Sequence, residues 1–332
     1  MKPRKYRIYA LNTDGYRIED SIVNTLSINQ HGHVASWVRH NHTFFAFFHD
    51  GATMHLLDTS TNNGSVALDI NDQGHIVGYT LHEIPRQIIR HAFYFDGTTM
   101  HDVHLPEWKT SEGRAINNRC QYVLQCRDSR GKTQSYRSIK EGLRHINPPG
   151  YDMIQGMAIN QYGHMVGMFR TTKNTPSRAF FFDNSQIHNL GMFDGHDNRV
   201  DQTGISSAWG LNDHGHVVGR VSTRPQPSRA FVYDETGMRD LGTIPGYMSK
   251  ALAINNASEI VGYAWTEDQN WLMDHAHALL WRNHALINLN DLVDDTDWHL
   301  RVAADINEVG QIVGWGDYQG QRQIFVLSPT SD

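Results

Sequence analysis

The stretch SAWGLNDHGHVVGR at 207–220, followed by SRAFVYDETGMRDLG at 228–242, decides the fold. Four runs of strand-forming residues, 208–211, 216–221, 229–233 and 238–241, alternate with turn residues. The first turn, Asn212-Asp213-His214-Gly215, has a physical logic. An Asn opening a turn accepts a hydrogen bond from the backbone two residues on, and a Gly at the fourth position takes the left-handed conformation. That conformation costs a residue with a side chain about 1–2 kcal/mol.

The same turn recurs along the chain. Its Asn stands at Asn29, Asn71, Asn117, Asn160, Asn212, Asn255 and Asn307, at intervals of 42, 46, 43, 52, 43 and 52 residues. Before each comes a large aliphatic residue: Ile28, Ile70, Ile116, Ile159, Leu211, Ile254 and Ile306. Three after it come Gly32, Gly74, Cys120, Gly163, Gly215, Ser258 and Gly310, and six after it Ala35 and then six valines, from Val77 to Val313. Repeats of about 40–50 residues with four strands each predict a β-propeller with one blade per repeat. The expectation is an all-β, seven-bladed β-propeller of four-stranded blades, one domain over 1–332.

With these residues the chain resembles the HAF repeat family, named for a His-Ala-Phe triplet in the third strand. Here the triplet is His91-Ala92-Phe93, with Arg178-Ala179-Phe180, Arg229-Ala230-Phe231 and His277-Ala278-Leu279 as its variants. The closing segment resembles the family's ending: Leu289-Asn290-Asp291-Leu292, Trp298, Ala304-Asp305-Ile306-Asn307 and Phe325-Val326-Leu327-Ser328-Pro329. The resemblance implies a propeller-like repeat architecture and an extracellular setting, and implies no activity.

Residues 6–13, YRIYALNT, precede the first repeat and match the end of a fourth strand such as 238–243. The seventh repeat supplies a first strand (303–306), a second (311–315) and a third (323–327), and the sequence stops at Asp332. Pairing 1–13 with that third strand predicts a ring closed within one blade, which removes the exposed edges of an open stack.

Composition narrows the function. A formal charge of −6 and a pI near 6.4 argue against nucleic acid as the main partner. No run approaches the length of a membrane span. Cys120 and Cys126 flank one strand and read as reduced and inert. The start, Met1-Lys2-Pro3-Arg4-Lys5-Tyr6, carries charge without an apolar core after it, which predicts a cytoplasmic protein or one exported without a cleaved signal peptide.

The twenty-one histidines invite a metal reading. His33, His75, His164 and His216, however, share one repeat position with Gln121, Glu259 and Gln311, which marks a polar site beside the turn. Of the His-x-His pairs, His275/His277 lies nearest the variable loops and is the one candidate for zinc. No phosphate loop, nucleophile elbow, HExxH or paired CxxC is present. The sequence calls for no catalytic set, no metal and no cofactor.

The connections between strands two and three, and from strand four to the next repeat, vary in length, and in a four-stranded blade they share one face. Aromatic and carboxylate residues gather there: Phe193, Asp194, His196 and Asp197; Trp265, Glu267 and Trp271; and Trp108. Asp294, Asp295, Asp297 and Trp298 form a further group, with Trp298 in the family-like ending. Exposed aromatics beside polar groups suit a protein hot spot or sugar stacking. The bland alternative folds each Trp back onto its own loop. The reading is a monomeric binding module for a protein partner, extending to an exported bacterial effector, rather than an enzyme. The alternative is a carbohydrate-binding or carbohydrate-active propeller with two carboxylates roughly 5–10 Å apart in a cleft.

Overall fold

The computed structural model describes the chain except for residues 1–4, 14, 17, 19–24, 58–63, 86, 147–149, 194–203, 224–225, 267–272, 274 and 331–332. Among the described residues are 28 strands and one short 3-10 turn, Leu289–Leu292. The strands form five four-stranded sheets and one of eight strands. Each four-stranded sheet is an antiparallel meander. In the fifth repeat, for example, Ile205–Leu211, Val217–Ser222, Arg229–Asp234 and Gly237–Asp240 lie side by side in that order. The eight-stranded sheet consists of the meanders of repeats three and four, joined by a single parallel pair, Thr133 with Met153. In the last sheet the N-terminal strand Tyr6–Ala10 runs antiparallel to Gln321–Pro329, with Ile8 opposite Leu327.

The repeated turn takes the form its residues dictate. In all seven repeats the Asn side-chain oxygen accepts the backbone N–H four residues on, at 2.8–3.0 Å. The fourth turn residue has positive φ in every repeat, including the non-glycines Cys120 (57°) and Ser258 (59°). In four repeats the inner strand begins earlier than the sequence pattern suggests, because a serine six residues before the Asn (Ser65, Ser111, Ser206 or Ser249) belongs to it. Its hydroxyl accepts the N–H of the triplet alanine in the preceding repeat, as Ser206 does from Ala179 (2.9 Å) and Ser249 from Ala230 (3.0 Å). These alanines are fully buried, and an unpaired N–H there would carry the full cost of desolvation.

Packing within a sheet turns on one close approach. A Cβ on Gly219 would lie 2.1 Å from the Ser207 carbonyl oxygen and 2.7 Å from the Phe231 ring. The phenylalanine of the triplet lies over that glycine, completely buried, and Phe93, Phe180 and Phe325 repeat the arrangement over Gly78, Gly167 and Gly314. In repeats two to seven a β-bulge breaks the register of the inner strand just before the Asn. The residue it skips and the next one both reach the same cavity, as do Leu68 with Asp69 and Trp209 with Gly210.

Two predictions follow from this geometry. A Cβ on Gly215 would meet nothing within 4 Å, so Gly215→Ala tests the backbone alone. It should lower the unfolding free energy by about 1 kcal/mol, and Ser258→Gly should raise it by a similar amount; equal urea midpoints for all three proteins would contradict the strained turn. Deleting residues 1–13 removes the buried Tyr6 and Leu11 and bares the edge of Gln321–Pro329. The expected result is aggregation or a large fall in melting temperature, and a truncated chain that melts with the intact protein would refute the pairing.

Candidate functional site

A cavity of about 180 Å³ is lined by the inner strands of all seven repeats. Its wall carries Leu26 and Ser27, Leu68 and Asp69, Arg114, Met157, Trp209, Leu252, and Ala304 with Asp305, one set from each repeat in turn. At one end the repeats are tied side to side. The Asn29 Nδ2 donates to the Asn71 carbonyl, Asn71 to Asn117, Asn117 to Asn160, Asn160 to Asn212, Asn212 to Asn255 and Asn255 to Asn307. Asn307 then donates to Asn29, every bond being 2.9–3.1 Å.

The residue after each Asn forms a second cycle. Its backbone N–H donates to the side-chain oxygen of the equivalent residue one repeat on: Gln30 to Asp72, Asp72 to Asn118, Asn118 to Gln161, Gln161 to Asp213. Asp213 donates to Asn256, Asn256 to Glu308 and Glu308 to Gln30, all at 2.8–3.1 Å. Only side chains with an oxygen at that reach occupy the position. The sequence pattern of Asn, Asp, Gln and Glu there carried this signal, and the reading of single turns missed it.

Deeper in the wall, Asp69 and Asp305 flank Ser27, whose Oγ lies 2.7 Å from Asp69 Oδ1 and 3.0 Å from Asp305 Oδ2. Asp69 accepts the N–H of Ile70 and, from the next repeat, of Ile116; Asp305 accepts those of Ile306 and Ile28. All four carboxylate oxygens are therefore engaged, so the pair bonds neighbouring repeats together and is not a free acid and base. Burial pushes Asp69 up to about 6 and Asp305 up to about 7, the latter also through the charge of Asp69. A hydroxyl has one proton to donate, which Ser27 shares between the two carboxylates. Toward the opposite end, Lys250 is buried with its Nζ 3.3 Å from the centre of the Trp209 ring, and desolvation lowers its pKa well below that of a free lysine.

The aromatics expected on the variable loops fare unequally. Trp108 is a correction. It is only 5 % exposed, opens the inner strand Trp108–Ile116 and packs against Tyr136 at 5.0 Å, so the connection before it is shorter than its sequence suggests. Trp298 is likewise buried, against Tyr318 and Phe325. Trp265 ends the strand Ile260–Trp265, half-buried with its ring 5.2 Å from Tyr263. Phe193 is half-buried against the cluster containing Leu190, Met192 and Phe231. Asp194, His196, Asp197, Glu267 and Trp271 lie outside the described residues.

The second-to-third-strand connection of repeat two does expose apolar surface. The strands Ile76–Ile84 and Gln87–Phe95 are nine residues each, and their hairpin presents Ile84 (37 % exposed) and Ile88 (60 %).

The repeated histidines pack edge-on against the third strand, His33 on Phe48 and His164 on Phe181. His277 Nε2 shares a hydrogen bond with Tyr247 Oη, and Asp274, the carboxylate beside His275 in the sequence, lies outside the described residues. Cys120 and Cys126 are both free, and burial raises the Cys126 thiol far above its usual range. Among the described residues one group of His and Asp side chains, His82, His91 and Asp102, brings three potential ligand atoms within 4.8 Å of one another.

No family model matches the sequence, and no curated protein is similar to it in sequence. Solved structures are similar in fold. The β-propeller domain of the Trilobed protease from Pyrococcus furiosus matches with a TM-score of 0.54 at 10% identity, covering 80% of each chain. YCF48 bound to D1 peptide matches at 0.52 and 11% identity, over 100% of this chain and 97% of that one. A prolyl endopeptidase matches at 0.56 and 7% identity over 94% of this chain, which spans about half (51%) of that one. The chain has a β-propeller fold. No helix among the described residues is long and apolar enough to cross a membrane.

The carboxylate pair makes stability depend on pH. Both acids have folded-state pKa values above the unfolded value near 3.9, so the native state binds more protons than the unfolded one between about pH 4 and about 7. Their contribution is greatest below that window and is lost as pH rises through it. Half-buried histidines such as His82 and His104, whose pKa values are lowered, pull the other way, so the readout is a difference. The stability of the protein relative to Asp305→Asn, from urea unfolding, should be larger at about pH 4.5 than at about pH 7.5. A pH-independent difference would remove the buried acid from the account.

Proposed function

We propose that this propeller has seven blades, is closed into a ring by its N-terminal strand, is of the HAF-repeat type and serves as a binding module for a protein partner. Closure is supported by the two hydrogen-bond cycles, each of which returns from repeat seven to repeat one, and by the pairing of Tyr6–Ala10 with Gln321–Pro329. The partner docks on the face made by the second-to-third-strand and repeat-to-repeat connections. The observation that carries this is the long hairpin of repeat two, which lifts Ile84 and Ile88 into solvent on that face. Isolated apolar side chains at a hairpin tip gain nothing for the fold, and they are the kind of anchor that protein interfaces bury. The opposite face, by contrast, is closed off by the hydrogen-bonded turns.

YCF48 shares the fold alone, and its bound peptide is a precedent for that class of ligand on a propeller. A module of this kind would serve a cytoplasmic scaffold or an exported effector equally. Trp265, at the end of Ile260–Trp265, extends the same surface.

The test starts from partner capture by cross-linking with the full chain, followed by titration of the captured partner. Ile88→Asp should weaken binding by at least tenfold, about 1.4 kcal/mol or more, with an unchanged melting curve. Tyr162→Asp, an exposed turn residue of the opposite face (56 %), should leave binding unchanged. The reverse pattern would put the interface on the wrong face. A glycan ligand insensitive to Ile88→Asp would replace the protein reading with the carbohydrate one.

A further inference from the structure

Among the described residues, repeat two brings together two histidines and a carboxylate that could share a ligand. His82 stands near the end of Ile76–Ile84, His91 opens the triplet on Gln87–Phe95, and Asp102 ends Met100–Asp102, so three adjacent strands converge. His91 Nδ1 lies 3.1 Å from Asp102 Oδ2. The His82 ring stacks on His91 with centroids 4.1 Å apart and planes 28° from parallel. His104 stacks on His91 as well, at 3.8 Å and 5°. That last ring is held in place. Ser111 Oγ accepts the Ala92 N–H at 2.8 Å and shares a second hydrogen bond with His104 Nδ1, also 2.8 Å away.

Half of this arrangement belongs to the repeat. His91 and Asp102 occupy the positions that Arg229 and Asp240 fill with an ion pair (3.1 Å) in repeat five, so that contact needs no ligand to explain it. His82 has no such excuse. The corresponding residues, eleven after the Asn, are His40, Asp128, Thr171, Thr223, Thr266 and Tyr318, so the repeat does not dictate a histidine there. An imidazole here sets ring against ring, and protonating two of them would place like charges about 4 Å apart. Neutral imidazoles beside a carboxylate are the ligand form that transition metals require.

We propose that His82, His91 and Asp102 form a binding site for a divalent transition-metal ion, with zinc the natural occupant of this nitrogen and oxygen donor set. Their ligand atoms, within 4.8 Å of one another, must close to about 3.4 Å to suit tetrahedral zinc. His91 and Asp102 already stand at 3.1 Å, so it is the half-buried His82 ring that has to rotate off its stack on His91, exchanging the 2.8 Å contact of its Nε2 with Thr80 Oγ1 for the ion. Water completes the coordination. His104, its Nδ1 occupied by Ser111, backs the His91 ring and sets its plane. The ion would join three strands at the root of the hairpin that bears Ile84 and Ile88, and its binding can be measured with no partner present.

The experiment is calorimetric titration of the full chain with Zn²⁺, repeated with Co²⁺ followed by visible absorption. Two substitutions borrow residues that sister repeats already use, which protects the fold: His82→Thr and His91→Arg. Asp102→Asn is the third variant, and His214→Gln/His216→Gln controls for surface histidines. The intact protein should take up one saturable equivalent, and each of the three variants should bind at least tenfold more weakly, with the control unchanged. His104→Ala should weaken binding less than His91→Arg does, as expected of a positioning residue. Absence of a saturable equivalent, or unchanged affinity in His82→Thr, would reduce the observation to an adventitious ion only. Loss of binding in the control would overturn the assignment in the same way.

Discussion

One amide group in each repeat carries the architecture. The Asn oxygen organises its own turn by accepting backbone N–H groups, and the Asn nitrogen reaches the main chain of the next repeat. Two jobs, one local and one between neighbours, fall on a side chain that is only 2–4 % exposed. No other residue has a donor and an acceptor at that reach, since Asp lacks the N–H and Ser lacks the second atom. Net gain per hydrogen bond is about 1 kcal/mol, whereas leaving a buried amide unpaired costs about 1–3. The asymmetry explains why the seven turns are so alike while the connections between them vary freely.

The inner wall shows how a repeat tolerates difference. Two positions before the Asn stand Ser27, Asp69, Ala115, Ala158, Gly210, Ala253 and Asp305. Where a carboxylate occurs it takes over bonds to the next repeat's backbone, and where a small residue occurs the wall simply lies open. The two acids face one another across the only hydroxyl in that tier. Their burial would be prohibitive as two isolated charges, and it becomes tolerable when a proton and four backbone N–H groups are shared between them.

The repeat register was legible because it rests on backbone needs: a left-handed turn residue, a glycine under an aromatic ring, an amide that bridges. The triplet was legible for the same reason, with Phe231 stacked where Gly219 leaves room. What sequence reading lost were the relations across strands. Trp108 looks like a loop residue when connections are measured by length, yet the strand simply starts there. His82 and His91 are nine apart and meet only because strand pairing sets His91 opposite Thr80. A His-x-His pattern marks one face of a single strand, whereas this ladder is spread over three. Of the loop aromatics, Phe193 and Trp265 turn out half-buried, each against residues of its own repeat or the next.

The last amide of the series has a temporal meaning. Asn307 completes its bond on the carbonyl of Asn29, and Glu308 on the side chain of Gln30, both 278 residues earlier. A ribosome making the chain exposes repeat one long before repeat seven exists, so the first repeat waits with a lateral partner missing. Contacts so distant in sequence are the slowest to form. The intermediate repeats can each dock on the one before them as they emerge. Repeat one alone has to hold its side open, which makes its inner strand the segment most in need of shelter while the chain is being made.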